Sequence, residues 1–316
     1  MTKPIKFVCP ACRGDLLFRG KEKYYSCASC DAEFPVISGI PRFLINENYT
    51  ESFGFQWNIH QKTQLDSYTG LPISSNRVRA ITGWSETTNL KNKSILEAGS
   101  GAGRFTEIIL KTGATIVSFD FSNAVDANFL NNGQSKSLSL FQGDIFALPL
   151  REASFDYVMC LGVLQHTPDP KTALGELSKM VKPGGQIFID IYSSNILHLL
   201  HWKYLVRPLT KLIDQHTLYR FVCAIVPFFI PISKFLKYIF GRFGARLVPI
   251  VEFSNLGLAP DLNREWAVLD TFDMYSPKYD KPASKSSVEA WLKGYEFKDI
   301  TVNYGANGVV AVATKK

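Results

Sequence analysis

Long uninterrupted apolar runs are missing from this 316-residue sequence. None reaches the roughly 20 residues that a membrane-spanning helix needs. The richest, Phe221 to Ser233, has 13 uncharged residues but includes Pro227 and Pro231, which are expected to break a helix. Met1 to Phe7 contains two lysines and a proline and no apolar core, so no secretory signal is expected. The expected location is cytoplasmic, with room for peripheral contact at the inner membrane face. Excess charge is also missing from most of the chain. The net charge is +7, yet Asn195 to Val251 alone carries eight Lys/Arg and one Asp. That segment holds the whole excess, so it carries the information about an anionic partner, and the rest gives no support to general nucleic-acid binding.

What remains is an ordinary globular composition, 46% hydrophobic and 20% charged, with length for about two domains. Six cysteines divide into four and two. Cys160 and Cys223 stand in apolar stretches and are expected to be buried small hydrophobes. Cys9-Pro-Ala-Cys12 and Cys27-Ala-Ser-Cys30 are two knuckles, each able to turn two sulfurs toward one ion. Together they complete a tetrahedron, the donor set of structural Zn2+. A segment this short rarely holds itself together without such a staple. Lys3, Lys6, Arg13, Arg19, Lys21 and Lys23 surround it with few acids, which leaves phosphate affinity open as a second role.

From Asn89 onward, strands and helices alternate. Strands are expected at Ser94–Ala98, Thr115–Asp120, Leu138–Phe141, Phe155–Cys160 and Gln186–Tyr192. Helices are expected at Phe105–Leu110, from a Ser122 cap through Leu130, and at Thr172–Val181 before Pro183-Gly184-Gly185. This alternation implies a parallel, doubly wound α/β sheet with its ligand at the carboxyl ends of the strands. Three features fall there. Glu97-Ala98-Gly99-Ser100-Gly101-Ala102-Gly103 links the first strand to the first helix, with glycines that allow close backbone approach. Asp120 ends the second strand, where a carboxylate can accept from two ribose hydroxyls. Asp144 follows the third, within reach of an adenine amino group. A dinucleotide fingerprint needs a further glycine where the chain has Arg104.

On these residues the sequence resembles the class I S-adenosylmethionine-dependent methyltransferases, of the type 11 kind. Glu97-x-Gly99-x-Gly101-x-Gly103 is similar to their first motif, Asp120 to the ribose-binding acid and Gly143-Asp144 to the adenine-contacting pair. Phe155-Asp156-Tyr157-Val158 with Leu161-Gly162-Val163-Leu164-Gln165-His166 resembles the fourth-strand motif, and Lys182-Pro183-Gly184-Gly185 the turn before strand five. Ser286 to Thr314, with strands at Asp299–Tyr304 and Val309–Thr314, resembles the closing hairpin. The resemblance implies a Rossmann-like seven-stranded sheet. It implies S-adenosylmethionine held by Glu97, Gly99, Ser100, Gly101, Gly103, Asp120, Phe121, Asp144, Ile145 and Leu161. Within the family the likeness is to bacterial members that follow a zinc ribbon, associated with surface-glycan or secondary-metabolite assembly. Phe53-Gly54-Phe55-Gln56-Trp57 and Asp270 to Pro277 fit that likeness.

Methyl transfer from a sulfonium is an in-line displacement. It needs alignment, dryness and, for a hydroxyl or amine acceptor, a base. His166, just past strand four, is the first candidate; Tyr192, Asp273 and Tyr275 are the rivals. Phe53 to Trp57 reads as a lid helix over the cofactor or as ordinary docking on the sheet. The expected layout is a ribbon at 1–45, a core with its lid at 46–194, a basic apolar helical insert at 195–283 and the end of the core at 284–316. The segment 195–251 reads as a cap for a lipid-linked acceptor lying on an anionic membrane, or as a helical lid or dimer face. The leading functional reading is methylation, at oxygen, of a small-molecule, glycan or lipid-linked acceptor. The alternatives are an RNA methyltransferase gripping RNA with the ribbon, which the placement of charge favours less, and a cofactor-binding scaffold without activity.

Overall fold

The computed structural model describes residues 5–46, 48–85, 87–194 and 202–316. Lys3 and the start of the insert from Asn195 lie outside them. The strands are β1 (Leu16–Arg19), β2 (Tyr24–Cys27), β3 (Glu33–Ile37), β4 (Ile40–Phe43), β5 (Ser94–Ala98), β6 (Thr115–Asp120), β7 (Leu138–Gly143), β8 (Phe155–Leu161), β9 (Val181–Ile191), β10 (Phe297–Tyr304) and β11 (Val309–Lys315). They form one sheet in the order β1-β2-β3-β4-β7-β6-β5-β8-β9-β11-β10. From β7 to β9 the neighbours run parallel, and β11 inserts antiparallel between β9 and β10. The seven strands from β7 to β10 are the doubly wound core expected from the sequence.

The sheet has eleven strands rather than seven because the ribbon continues it. An edge strand offers unpaired N–H and C=O groups, and β4 takes those of β7: Arg42 and Phe43 pair parallel with Gln142 and Gly143. Phe43 is fully buried, with its ring among those of Phe7, Phe34 and Phe141. Arg42 donates to Gln142 at 3.1 Å and to Asp126 at 2.5 Å. Arg13, counted among the ribbon's phosphate-binding candidates, instead donates to the carbonyls of Leu148 and Leu150, both at 2.6 Å. Val8 donates to Pro149 O at 3.0 Å. The ribbon is docked on the core by its own backbone and by the side chain that looked free.

The helices are α1 (Glu51–Ile59), α2 (Asp66–Thr69), α3 (Ile73–Thr82), α4 (Arg104–Leu110), α5 (Val125–Asn132), α6 (Pro170–Met180), α7 (Trp202–Thr210), α8 (Gln215–Phe240), α9 (Pro260–Tyr275) and α10 (Lys285–Gly294). Two local expectations are corrected. Ser122 does not cap α5: its hydroxyl donates to Asp120 at 2.7 Å and accepts from Ala124 N at 3.1 Å, so it shapes the turn before the helix. Pro227 and Pro231 do not break the insert, because α8 runs unbroken for 26 residues. Each proline removes one N–H from the ladder, while Leu218, Val222 and Val226 stay packed with Ala267, Val268 and Phe272 of α9. By length and composition, α8 is therefore long and apolar enough to cross a bilayer, contrary to the reading of the 13-residue run.

Candidate functional site

A cavity of about 1440 Å³ opens at the carboxyl ends of β5, β6, β8 and β9. Pockets for a single small molecule span roughly 300–1,000 Å³, so this one has room for two ligands side by side. One end is built by the glycine turn. Gly99 holds φ +73, and a Cβ there would come within 2.3 Å of Val163 Cγ2. Gly101 lies under Trp57, whose ring would stand 3.2 Å from an added Cβ. Asp120 lines the same end, accepting from Gly101 N at 2.8 Å on Oδ2 and from Ser122 N and Oγ at 2.8 and 2.7 Å on Oδ1. Burial raises its pKa, and these donors oppose that. A carboxylate has about four lone-pair sites, and three are taken, so acceptor capacity remains for one hydroxyl. Tyr49 and Phe121 bring their rings to 5.0 Å beside it, and Ile145 and Leu161 add apolar walls. A carboxylate next to an aromatic and aliphatic slot fits an adenosyl group.

Gly99, Ser100, Gly101, Asp120, Phe121, Ile145 and Leu161 line the cavity as expected. Glu97, Gly103 and Asp144 do not. Glu97 points behind the turn, where its Oε2 accepts from Thr106 Oγ1 at 2.5 Å and Ser118 Oγ at 2.7 Å. Its pKa is pushed up to about 7, by burial first, with those hydroxyls opposing. It braces the loop from behind, because its strand turns it toward α4. Asp144 accepts from Asn46 Nδ2 at 2.9 Å and Phe146 N at 3.0 Å, so it ties the ribbon's exit to the rim.

At the other end, His166, Tyr192 and Asp273 converge on the cavity. The His166 ring lies 4.9 Å from Phe53 and 5.4 Å from Tyr192. Its Nδ1 is 3.1 Å from the Tyr279 carbonyl. A carbonyl only accepts, so that contact places the proton on Nδ1 and leaves the Nε2 lone pair free. Burial holds the His166 pKa below the usual 6.5, with Asp273 pulling the other way. Asp273 accepts from Gln56 at 3.0 Å. Tyr275 is a correction: it is buried away from the cavity and donates to Pro249 O at 2.8 Å. A helix repeats every 3.6 residues, so one that aims Asp270 and Asp273 inward turns Tyr275 aside.

Charged residues that the sequence reading passed over complete this end. Arg77 pairs with Asp190 at 2.6 Å, and Lys203 and Arg207 share Asp280 at 2.7 and 3.7 Å. Asp270 accepts from Gln64 and Trp266; its pKa is pushed up to about 7 by burial and then by Asp273, against Arg104. Asp190 was visible in advance as the single carboxylate within the apolar run Ile187 to Ile191. Helix α1 spans both ends, with Trp57 on the glycine turn, Phe53 on His166 and Phe55 against Phe272. It therefore lines the cavity and docks on the insert at once.

Away from the cavity, the four ribbon cysteines bring their sulfurs within 4.8 Å of one another. Cys9–Cys30 and Cys12–Cys27 stand at 3.6 and 3.5 Å. A disulfide needs about 2.05 Å, whereas four sulfurs about 2.3 Å from one Zn2+ lie about 3.8 Å apart. Ser29 N points at Cys27 Sγ at 3.4 Å, which favours the thiolate a metal requires. The donor set fits structural zinc.

A family model described as a methyltransferase domain matches residues 96–189. Those residues are a methyltransferase domain. Together with the strand order, the domain has the architecture of the class I S-adenosylmethionine-dependent enzymes. Among curated proteins, the chain is 33% identical over 114 residues to a ubiquinone biosynthesis O-methyltransferase of Pseudomonas fluorescens, covering 35% of this chain and 49% of that protein. It is 29% identical over 134 residues to the protein of the same name from Pseudomonas entomophila, covering 40% and 57%. The chain thus spans about half the length of the curated relatives it matches. An O-methyltransferase family protein from Burkholderia thailandensis has a TM-score of 0.45 at 10% identity, covering 77% of this chain and 56% of that one. A chain of the complex between the Haloferax volcanii Trm112 methyltransferase activator and its methyltransferase partner has a TM-score of 0.48 at 11% identity, covering 86% and 99%.

Proposed function

We propose that this chain transfers the methyl group of S-adenosylmethionine to a hydroxyl of a small-molecule, glycan or lipid-linked acceptor. The observation that carries the reading is one cavity with a buried carboxylate beside the glycine turn at one end and an oriented imidazole at the other. S-adenosylmethionine supplies an activated methyl on a sulfonium. Asp120 takes a ribose hydroxyl, and Tyr49, Phe121 and Ile145 enclose the base. Phe53 and Trp57 exclude water from above. His166 receives the acceptor's proton on Nε2 as the oxygen attacks the methyl carbon. Bound S-adenosylmethionine would keep the electrons of the broken carbon–sulfur bond on its sulfur. Asp273, held by Gln56, favours the imidazolium that results. Alignment of this kind is worth roughly 7–11 kcal/mol of barrier. The name of the Pseudomonas relatives favours oxygen as the methylated atom.

The test begins with radiolabelled methyl donor and fractionated acceptors from cells: small molecules, lipids and RNA. On the fraction that takes up label, His166→Ala is expected to slow single-turnover transfer by about 10²–10⁴-fold. The wild-type rate should hold through pH 6.5 and fall only at lower pH, because the base must be neutral and its pKa is lowered. A loss under about threefold removes His166 from the base role. Label entering RNA alone overturns the acceptor class.

A further inference from the structure

The outer face of α8 is apolar where a solvated helix would be polar. Phe221, Ala224, Phe228, Pro231, Phe235 and Tyr238 recur at alternating steps of three and four, so they share one face. Phe221, Phe228 and Phe235 are 59%, 66% and 62% exposed, and Tyr238 is 90% exposed. Leu205, Leu209 and Leu212, in and after α7, and Phe243 and Leu247, after α8, are exposed as well. Large exposed apolar patches mark contact surfaces. The exposed charges among the described side chains of 202–247 are Lys211, Arg220, Lys234 and Arg246 against a single acid, Asp214. Asp214 is occupied as the cap of Thr217 N at 3.0 Å.

We propose that this face docks on an anionic lipid bilayer, with the helix lying in the interface. The charge decides the occupant. A two-fold dimer would place this cationic patch against itself, whereas anionic headgroups complement it and acyl chains accept the phenylalanines. The inner face decides the orientation. Leu218, Val222 and Val226 are buried against α9, and Tyr219 pairs with His60 at 2.8 Å. Crossing the bilayer would strip these contacts, while lying on it keeps them. The inference stands apart from methyl transfer, because docking needs no turnover.

Flotation of the full chain with liposomes tests it. The chain is expected to float with mixed phosphatidylglycerol–phosphatidylcholine vesicles at low salt, to lose most of that binding at high salt, and to bind phosphatidylcholine alone far less. Phe221→Ser, Phe228→Ser and Phe235→Ser together should cut partitioning about tenfold or more with melting temperature and donor affinity unchanged. Arg220→Glu with Lys234→Glu should abolish the preference for anionic lipid without touching the apolar face. No flotation at low salt overturns the proposal, as does equal flotation of both variants. Resistance to alkaline carbonate extraction overturns it in favour of a spanning helix. A dimer in solution that the phenylalanine variant makes monomeric overturns it in favour of a second copy.

Discussion

At the donor end of the cavity, contacts come from strand ends and short turns of the parallel sheet, all within residues 99–163 apart from Tyr49 and helix α1. At the acceptor end they come from side chains of α3, β9 and the insert, drawn together from positions 77 to 280 and held by buried ion pairs. The donor end is a property of one supersecondary unit. The acceptor end is a property of the whole fold. Damage to the second should therefore leave the first working, and each variant below either breaks or sharpens that separation.

The largest effect is expected at Asp280, 4% exposed, which is shared by Lys203 and Arg207. Asp280→Ala leaves both cations without that carboxylate, and breaking a buried pair costs about 3–5 kcal/mol. Thermal melting should show the insert loosening first, while affinity for S-adenosylmethionine stays within about threefold of wild type. If donor affinity falls in step with stability, the two ends are one cooperative unit.

A smaller effect is expected behind the glycine turn. The folded-state pKa of Glu97 is raised to about 7 from 4.5. The folded state thus holds its proton more tightly than the unfolded chain. The corresponding stability is complete below pH 4.5 and lost as pH rises through 7, a change on the order of 3 kcal/mol. Glu97→Gln keeps the shape and removes that titration, so denaturant unfolding of the variant should depend less on pH between 4.5 and 7. Asp270, also raised to about 7, titrates in the same window at the acceptor end and should keep part of the slope. An unchanged pH profile in the variant would mean that Glu97 ionises normally and does not brace the loop from a dry site.

The same division explains what could be read in advance. Ser94–Ala98 and Thr115–Asp120 were expected with both their ends, because short apolar runs between turn signals describe buried parallel strands. Strand β9 begins at Val181, five residues early, since Lys182 to Gly185 bulges within the strand between the Phe155 and Tyr157 pairings. Ribbon strand β4 was not legible as part of the main sheet, because pairing with β7 lies 100 positions away. Glu97 was placed at the ligand by motif, but side-chain direction depends on Thr106 and Ser118, which only the folded sheet brings to it. Of the candidate bases, His166, Tyr192 and Asp273 line the cavity, the first two from positions just past strands. Tyr275 lies outside the cavity because residues 260–275 form a helix, which turns it away from the face that carries Asp270 and Asp273. Arg77, Lys203, Arg207 and Asp280 were missed, since each is an ordinary surface residue until its partner arrives.

Titration calorimetry with S-adenosylmethionine on the wild-type chain, Asp120→Ala and His166→Ala tests the central claim most directly. One hydrogen bond to a charged group, at about 1.5–3 kcal/mol, corresponds to roughly 10–100-fold. The account predicts one site on the wild-type chain, a loss of about that size in Asp120→Ala, and affinity within about threefold of wild type in His166→Ala. A wild-type chain with no measurable affinity, or an Asp120→Ala variant that binds as tightly, would contradict it.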